Sequence, residues 1–267
     1  MDLFFRKFGN GPPLIILHGL YGSSDNWVSV GRKLSAGFEV YLLDQRNHGK
    51  SPHSPQHNYH LLKEDLREFM DKQSIEKAII LGHSMGGKTA MFFAVDYPEK
   101  VNSLIVVDIS PKSYIDTKST QLLSHSTIIN AMYNVDFNHV NNRSDIDKML
   151  SSSIPSKRVR QFLLKNVSRT KDNQFKWSLN LESISNELTN IMDGLDTDKF
   201  KKGKGVSGFP VLFIKGDQSD YIDSSDKTAI EIIFPFAEIE TIPNAGHWLH
   251  AEQPGIFLNT IQKFLAG

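Results

Sequence analysis

The segment Gly82–Thr89, GHSMGGKT, contains two patterns with different chemistry. As G-x-S-x-G, it is a strand-to-helix turn that exposes Ser84 as a nucleophile for acyl transfer. As G-x-x-x-x-G-K-[ST], it is a phosphate-binding loop in which Lys88 contacts phosphates and Thr89 holds Mg²⁺. Both patterns need a strand before the motif and a helix after it, so the motif by itself leaves both alternatives open.

The sequence around the motif supplies these elements. The stretch KAIIL before it predicts a buried strand, and KTAMFFAVDYP after it predicts a helix with one apolar face. The three glycines favour the nucleophile turn, which strains the serine backbone and brings strand and helix close together. Asp108, at the end of the strand SLIVVD, could hold Mg²⁺, but no base-recognition motif follows it. We therefore favour the nucleophile, with Lys88 and Thr89 as ordinary first-turn residues of the helix.

Two backbone N–H groups are candidates for an oxyanion hole. The loop LHGLYGS (17–23) directly follows the predicted strand PLIIL (13–17). Next to a G-x-S-x-G turn, one donor comes from such a loop and the other from the residue after the nucleophile. This predicts the N–H groups of Leu20 and Met85, with His18 as a structural hydrogen-bonding residue. Removing one oxyanion donor typically raises the barrier by about 3–4 kcal/mol.

The general base is predicted to be His247. It lies in NAGHWLHAEQP (244–254), directly after the last predicted strand, which matches the order serine, acid, histidine along the chain. His250, three residues later, is the alternative, but it opens the following helical region.

The acid has three candidates. The usual position, three residues after Gly216, is occupied by Ser219, with Asp217 and Asp220 on either side of it. Asp108 instead ends the strand that follows the nucleophile's helix. Functional groups of a parallel sheet gather at the carboxyl ends of its strands, so Asp108 lies on the correct edge to reach the histidine. We favour Asp108, leaving open whether Asp217 or Asp220 assists or replaces it.

The composition fits one large core without thiol chemistry. The chain has 267 residues, 39% of them hydrophobic, and its 30 basic residues balance 30 acidic ones. This balance argues against electrostatic capture of nucleic acid or of an anionic membrane. The absence of cysteine excludes disulfides and thiolate sites. Since neither a signal peptide nor a membrane-spanning apolar run is evident, we expect a cytoplasmic monomer or dimer.

Short apolar runs alternate with helical patterns, which predicts an α/β fold with a mostly parallel sheet flanked by helices. The opening LFFRKF alternates in polarity and predicts an antiparallel edge strand. The other strands are expected at 13–17, 39–43, 77–81, 103–107, 210–214 and 237–242, and helices near 58–73, 85–97, 225–233 and 255–265.

The interval 111–208 interrupts this alternation. It contains no convincing strand, and ends in the basic stretch KFKKGKGVSG (199–208). A connection of this length is too long for a simple crossover. We expect a helical cap at 111–208 inserted into a core formed by 1–110 and 209–267, with the basic stretch as return linker. Five apolar or aromatic side chains could line an acyl pocket or only form the cap's own core: Tyr114, Leu122, Ile128, Met132 and Phe162.

Five segments together resemble the α/β-hydrolase superfamily: HGLYGSSDNW, DQRNHGKSP, GHSMGGK, VVDISP and AGHWLHAEQP. More narrowly, the chain is similar to a group of esterases and thioesterases with a D-x-R-N-H-G-x-S-P box. In that group the acid follows the strand after the nucleophile's helix, and the later G-x-x-D position is not acidic. Asp108 and Ser219 match both features. Asp44, Arg46 and His48 of the box are expected to organise the neighbouring loop.

The resemblance implies a serine hydrolase of the α/β-hydrolase fold that cleaves small carboxylic esters or acyl thioesters. Ser84, Asp108 and His247 would form the triad, and Leu20 and Met85 the oxyanion hole, with no metal or cofactor. A hydrolase-fold receptor with slow turnover and a nucleotide-binding protein are the alternatives. Carbon–carbon bond cleavage, lyase and perhydrolase chemistry rank below ester hydrolysis. The leaving group, alcohol or coenzyme A, stays open.

Overall fold

A computed structural model describes residues 1–115, 120–200, 203 and 205–266. Within them, seven strands form one sheet in the order β1-β3-β2-β4-β5-β8-β9, and β6 and β7 form a separate hairpin. The strands of the large sheet are β1 Phe5–Phe8, β2 Pro13–Leu17, β3 Glu39–Leu43, β4 Ala78–His83, β5 Val101–Val107, β8 Val211–Gly216 and β9 Glu238–Ile242; the hairpin is β6 Val167–Arg169 and β7 Phe175–Trp177.

The helices flank this sheet or lie between β5 and β8. They are α1 Val28–Leu34, α2 Tyr59–Lys72, α3 Met85–Asp96, α4 Thr120–Tyr133, α5 Arg143–Ser151, α6 Lys157–Leu163, α7 Leu181–Asn186, α8 Leu188–Met192, α9 Asp226–Ile233, α10 Leu249–Glu252 and α11 Pro254–Ala266. The four helices expected from the sequence are confirmed, whereas α1 was not predicted.

The central strands are buried on both faces, which explains their nearly continuous apolar sequences. In β2, Ile15 and Leu17 join one hydrophobic cluster, whereas Leu14 and Ile16 join the cluster on the opposite face. This alternation follows from the two-residue period of side chains along a strand. The result is a three-layer α/β fold, as expected, in which the carboxyl ends of the parallel strands share one edge.

The first strand is an antiparallel edge strand, as its alternating sequence predicts. β1 pairs with β3 with Phe5 opposite Leu43, while β2 pairs with β3 and β4 in parallel. The remaining neighbours, through β9, are also parallel. None of the helices in the described ranges is both long and apolar enough to cross a membrane.

The intervening segment, residues 111–208, connects β5 to β8 and contains α4 to α8. The expectation that it lacks strands is wrong, because β6 and β7 pair antiparallel within it. Each strand has only three residues, too few for a clear periodic pattern. Asn173, with φ of 61° and its N–H bonded to Thr170, forms the turn between them. Residues 201, 202 and 204 of the predicted return linker lie outside the described residues.

Candidate active site

Ser84 lies on a strained turn between β4 and α3. Its φ of 53° is in the left-handed region, which is costly for any residue with a Cβ. The turn is also tight: a Cβ added to Gly82 would lie 2.1 Å from the Gly86 carbonyl oxygen, and one added to Gly86 would lie 2.4 Å from that of Leu17. Glycine at these positions therefore permits the close approach that presents the serine at the carboxyl edge of the sheet.

The loop after β2 passes directly beside the serine. A Cβ added to Gly19 would lie 3.1 Å from Ser84 Cβ. The N–H groups of Leu20 and Met85 donate to no group among the described residues, whereas the N–H of neighbouring Gly22 is bonded to Gly19. Two unpaired backbone donors beside a strained serine are the arrangement that an oxyanion requires.

Buried polar groups fix the shape of this loop. His48 Nε2 accepts a hydrogen bond from the Tyr21 N–H at 3.3 Å, and Asp44 Oδ1 accepts from the Ser24 N–H at 2.6 Å. His18 Nε2 accepts from the Gln45 N–H at 3.0 Å, which agrees with a structural role for His18. The loop is thus held in this conformation by hydrogen bonds to neighbouring side chains and backbone.

The RNHG part of the box, Arg46 to Gly49, lies beside this loop and also contacts the intervening segment. Arg46 forms a bidentate ion pair with Asp65, at 2.6 and 2.9 Å. The Asn47 side chain donates to Ser183 Oγ at 3.0 Å, and the Asn47 backbone carbonyl accepts from the Asn180 N–H at 2.9 Å. The box therefore connects the sheet edge to α7 and its N-terminal cap.

His247 contacts Asp108, with 2.8 Å between Nδ1 and Oδ2. Asp108 is fully buried and has a φ of 52°, so its strained backbone also turns at the strand end. Its other oxygen accepts from the Gly216 N–H at 3.0 Å, and Ser219 donates its hydroxyl to Oδ2. These bonds hold the Asp108 carboxyl group in place, so that Oδ2 orients the imidazole through Nδ1.

The two aspartates after β8 do not contact His247. Asp217 accepts from the Ala245 N–H at 3.2 Å and so anchors the loop before the histidine. Asp220 is bonded to residues of α4, through Thr120 and Gln121. Among the predicted acids, the structure brings only Asp108 to the histidine.

His250 is also away from Asp108. Its ring stacks on Trp27 with centroids 4.2 Å apart, and burial lowers its pKa to about 3. Its Nδ1 is buried without a hydrogen-bond partner. It is therefore a neutral core side chain.

Lys88 is enclosed by protein groups and does not face a phosphate site. Its Nζ donates to the carbonyls of Lys112, at 2.8 Å, and of Asp193. Burial lowers the pKa of Lys88 to about 7. Lys88 lies on the first turn of α3, as predicted, but it is buried and its amino group connects α3 to the start of the intervening segment and to the end of α8. Thr89 Oγ1 bonds within the protein, to Gln45 and to the Met85 carbonyl.

Ser84 and His247 face one cavity of about 160 Å³ between the sheet edge and the intervening segment. No hydrogen bond joins the Ser84 hydroxyl to His247 within the described chain, which is common in catalytic sites without substrate. The His247 backbone is held instead, because its carbonyl lies 2.8 Å from His83 Nε2.

The walls of this cavity are mainly apolar. Its apolar side chains are Leu20, Ile128, Val159, Phe162, Leu163 and Trp248. Of the side chains expected to line a pocket, Ile128 and Phe162 do so, and Tyr114 lines an adjoining void of about 20 Å³. Met132 is buried in an apolar cluster that the intervening segment shares with residues of the core such as Leu20 and Met85, and Leu122 packs against the cluster on one face of the sheet.

The sequence reasoning missed Tyr221 and His125, which also line the cavity. Tyr221 lies two residues beyond Ser219, so inspection of that strand end could have found it. His125 had no motif around it. No cluster of three or more histidine or acidic side chains suited to a metal ion occurs in the described ranges.

The α/β-hydrolase fold family matches residues 12–254 of the chain. The chain belongs to this family. This α/β hydrolase is 39% identical over 270 residues to the sn-1-specific diacylglycerol lipase ABHD11 of Danio rerio, covering 99% of this chain and 81% of that protein. It is 30% identical to esterase YbfF of Escherichia coli, covering 96% and 94% of the two chains.

A solved structure supports the same relationship. A marine microorganism esterase is 48% identical to this α/β hydrolase and superposes with a TM-score of 0.94, covering 99% of each chain. At this level of identity and overlap, the two proteins share the fold over their whole length, including the intervening segment.

Proposed function

We propose that this α/β hydrolase is a serine esterase that cleaves small carboxylic esters through a covalent acyl-enzyme. Ser84 is the nucleophile, His247 the general base and Asp108 the acid that orients it. The observation that carries the proposal is the 2.8 Å contact between His247 and the buried Asp108 beside the cavity that contains Ser84. The esterases and the lipase among its relatives support ester substrates.

The reaction follows from the hydrogen bonds of the site. With Nδ1–H directed at Asp108, His247 has its lone pair on Nε2, which takes the proton as Ser84 Oγ attacks the carbonyl carbon. The N–H groups of Leu20 and Met85 stabilise the tetrahedral oxyanion. His247 then protonates the leaving oxygen or sulfur, and water activated by the same histidine releases the acid. No step requires a metal or cofactor.

The intervening segment supplies the substrate cavity in this proposal. Residues 111–208 act as a cap on a core formed by 1–110 and 209–267. Side chains of α4 and α6, including Ile128 and Phe162, close the cavity over the serine. Its mostly apolar wall and small volume favour uncharged acyl groups of short to medium length. Acyl thioesters present the same carbonyl and are accepted if the leaving group can extend out of the cavity.

The nucleophile is tested by Ser84→Ala with p-nitrophenyl esters of increasing chain length, alongside acyl-coenzyme A thioesters. We expect the variant to lose hydrolysis while its circular dichroism and melting temperature stay close to wild type. Turnover that persists in Ser84→Ala would rule out this nucleophile. Absence of turnover in the wild-type protein on every substrate, with a ligand that raises its melting temperature, would indicate a binding protein instead.

A further inference from the structure

The ring of Tyr221 covers one face of the proposed general base. Its centroid lies 4.0 Å from that of His247, and the two planes are inclined by only 20°. Tyr221 is in the loop after β8, which Ser219 connects to Asp108. No step of the proposed reaction uses this tyrosine, although it touches the side chain that must change charge.

Three hydrogen bonds hold Tyr221 in this position. Its carbonyl accepts from the Tyr114 hydroxyl at 2.5 Å, and its N–H is 3.4 Å from Ser219 Oγ. Its own hydroxyl lies 3.2 Å from Nε2 of His125, which belongs to α4 of the intervening segment. A tyrosine fixed at its backbone and at its hydroxyl has little freedom to leave the imidazole.

His125 reaches the oxyanion loop with its other nitrogen. Nδ1 lies 3.3 Å from the hydroxyl of Tyr21, the residue directly after Leu20. Burial lowers the pKa of His125 to about 4, so the ring is neutral near pH 7, with one N–H and one lone pair. One tyrosine hydroxyl therefore donates to it and the other accepts from it. His125 thus contacts both Tyr21, next to the proposed oxyanion donor Leu20, and Tyr221, which is stacked on His247.

We propose that Tyr221 is a positioning residue for His247, and that His125 holds Tyr221 in place. The stacked ring prevents the imidazole from rotating away from Asp108, and its π face stabilises the imidazolium formed when Ser84 is deprotonated. His247 can therefore act as the base only when the intervening segment is correctly packed on the sheet edge. This inference rests on the proposed function, since it assigns His247 the role of general base.

The surroundings of His247 allow this effect to be measured. The titratable groups around it are Asp108, Tyr221, His83, His125, His250 and Glu252, which accepts from the N–H groups of Gly246 and Trp248 and pairs with Arg158. Burial keeps the pKa values of His83, His125 and His250 below the ordinary histidine value, and that of Tyr221 above the ordinary tyrosine value. Substitution of Tyr221 removes none of the carboxyl groups next to His247, so a change in its titration reports the loss of the ring.

The test combines histidine NMR titration of the free protein with steady-state kinetics on a p-nitrophenyl ester. The His247 signals are assigned by their loss in His247→Gln. In Tyr221→Leu, we expect the pKa of His247 to fall by about 0.5–1, corresponding to loss of one aromatic–cation contact. We expect kcat to fall about tenfold with little change in KM, because orientation is lost as well.

Two further variants separate the ring from its hydroxyl. Tyr221→Phe keeps the ring but breaks the bond to His125, so we expect a fall in kcat of roughly two- to threefold, the effect of one neutral hydrogen bond. His125→Phe removes this bond and the one to Tyr21, so its loss in the same assay should be at least as large. The double variant should be no worse than His125→Phe alone, because that substitution already removes the bond to the Tyr221 hydroxyl.

Tyr133→Leu on the exposed end of α4 is the matched control, and should leave both measurements at wild-type values. An unchanged His247 pKa in Tyr221→Leu, or an effect on KM alone, would show that Tyr221 only lines the cavity. Additive losses in the double variant would remove the link to His125. Because the titration needs no turnover, failure of the esterase proposal is recognised separately, from a wild-type protein that hydrolyses nothing.

Discussion

At the residue scale, the site consists of side chains held by buried hydrogen bonds. Asp108 is bonded by a backbone N–H, a hydroxyl and an imidazole, and is inaccessible to solvent. Ser84 and Asp108 both have positive φ values, 53° and 52°, at adjacent strand ends. Strain of this kind persists only where the surrounding structure enforces it, and it is concentrated at functional sites.

The acid is distinguished by comparing three aspartate variants. Asp108→Asn should lower kcat by about 10⁴-fold, because an amide no longer selects the productive tautomer of His247 or stabilises its charged form. Asp220→Asn should have almost no effect, and Asp217→Asn only a small one, through its contact with Ala245. The measurement is kcat for one p-nitrophenyl ester, with each variant's fold checked by circular dichroism. A comparable loss in Asp217→Asn would contradict the assignment of Asp108.

At the element scale, α3 connects the other parts of the site. It begins directly after Ser84, and its first N–H is a proposed oxyanion donor. Lys88 on its first turn binds carbonyls at the start of the intervening segment and at the end of α8. The first turn of the helix packs directly on the backbone of β2, and it can approach so closely only because Gly86 has no Cβ. The glycines of the turn are therefore required for packing, in addition to the role proposed for this turn in presenting Ser84.

Gly82→Ala should destabilise the protein and reduce activity. The added Cβ would lie 2.1 Å from the backbone oxygen of Gly86, which cannot move without shifting α3. We expect a loss of at least about 1–3 kcal/mol in the free energy of unfolding, measured with urea. Gly255→Ala in α11 is the control: its Cβ meets nothing within 4 Å, and it should be neutral or stabilising. Equal stability of the two variants would refute the packing argument.

At the scale of the whole molecule, the protein contains several buried histidines that it holds neutral. His250 is one of them, with its pKa lowered to about 3 by burial and one ring nitrogen unpaired. In the unfolded chain its pKa returns to the ordinary value of about 6.5. Below that pH the unfolded state binds a proton that the folded state does not. The stability present above pH 6.5 is therefore progressively lost as the pH falls towards 3.

His250→Phe should flatten this acid dependence. The phenyl ring keeps the stack on Trp27, while the titrating group and its unpaired nitrogen are removed. Between pH 7.5 and pH 5, the free energy of unfolding, measured with urea, should fall by about 2 kcal/mol more in the wild-type protein than in the variant. His60→Phe, at an exposed position, is the control and should keep the wild-type slope. Parallel pH profiles for wild type and His250→Phe would contradict this account.

The sequence by itself determined the strands of the sheet, their mostly parallel direction and the family. Buried parallel strands need long apolar runs, and the nucleophile turn needs glycine beside serine, so both leave a local pattern in the chain. The loop after β2 and the histidine after β9 were found for the same reason, by their positions next to strands. The contact of Asp108 with His247 could be inferred only as the favoured one of three candidate acids.

Tertiary structure decided what depends on distant residues. It showed that Asp108 contacts His247 while Asp217 and Asp220 do not, that Lys88 is buried, and that a hairpin lies in the intervening segment. It also brought Tyr221 and His125 together beside His247. The pairs His125–Tyr221 and Lys88–Asp193 are separated by about a hundred residues of sequence. No local periodicity encodes such pairs, because their contact is fixed by how the intervening segment packs on the sheet edge.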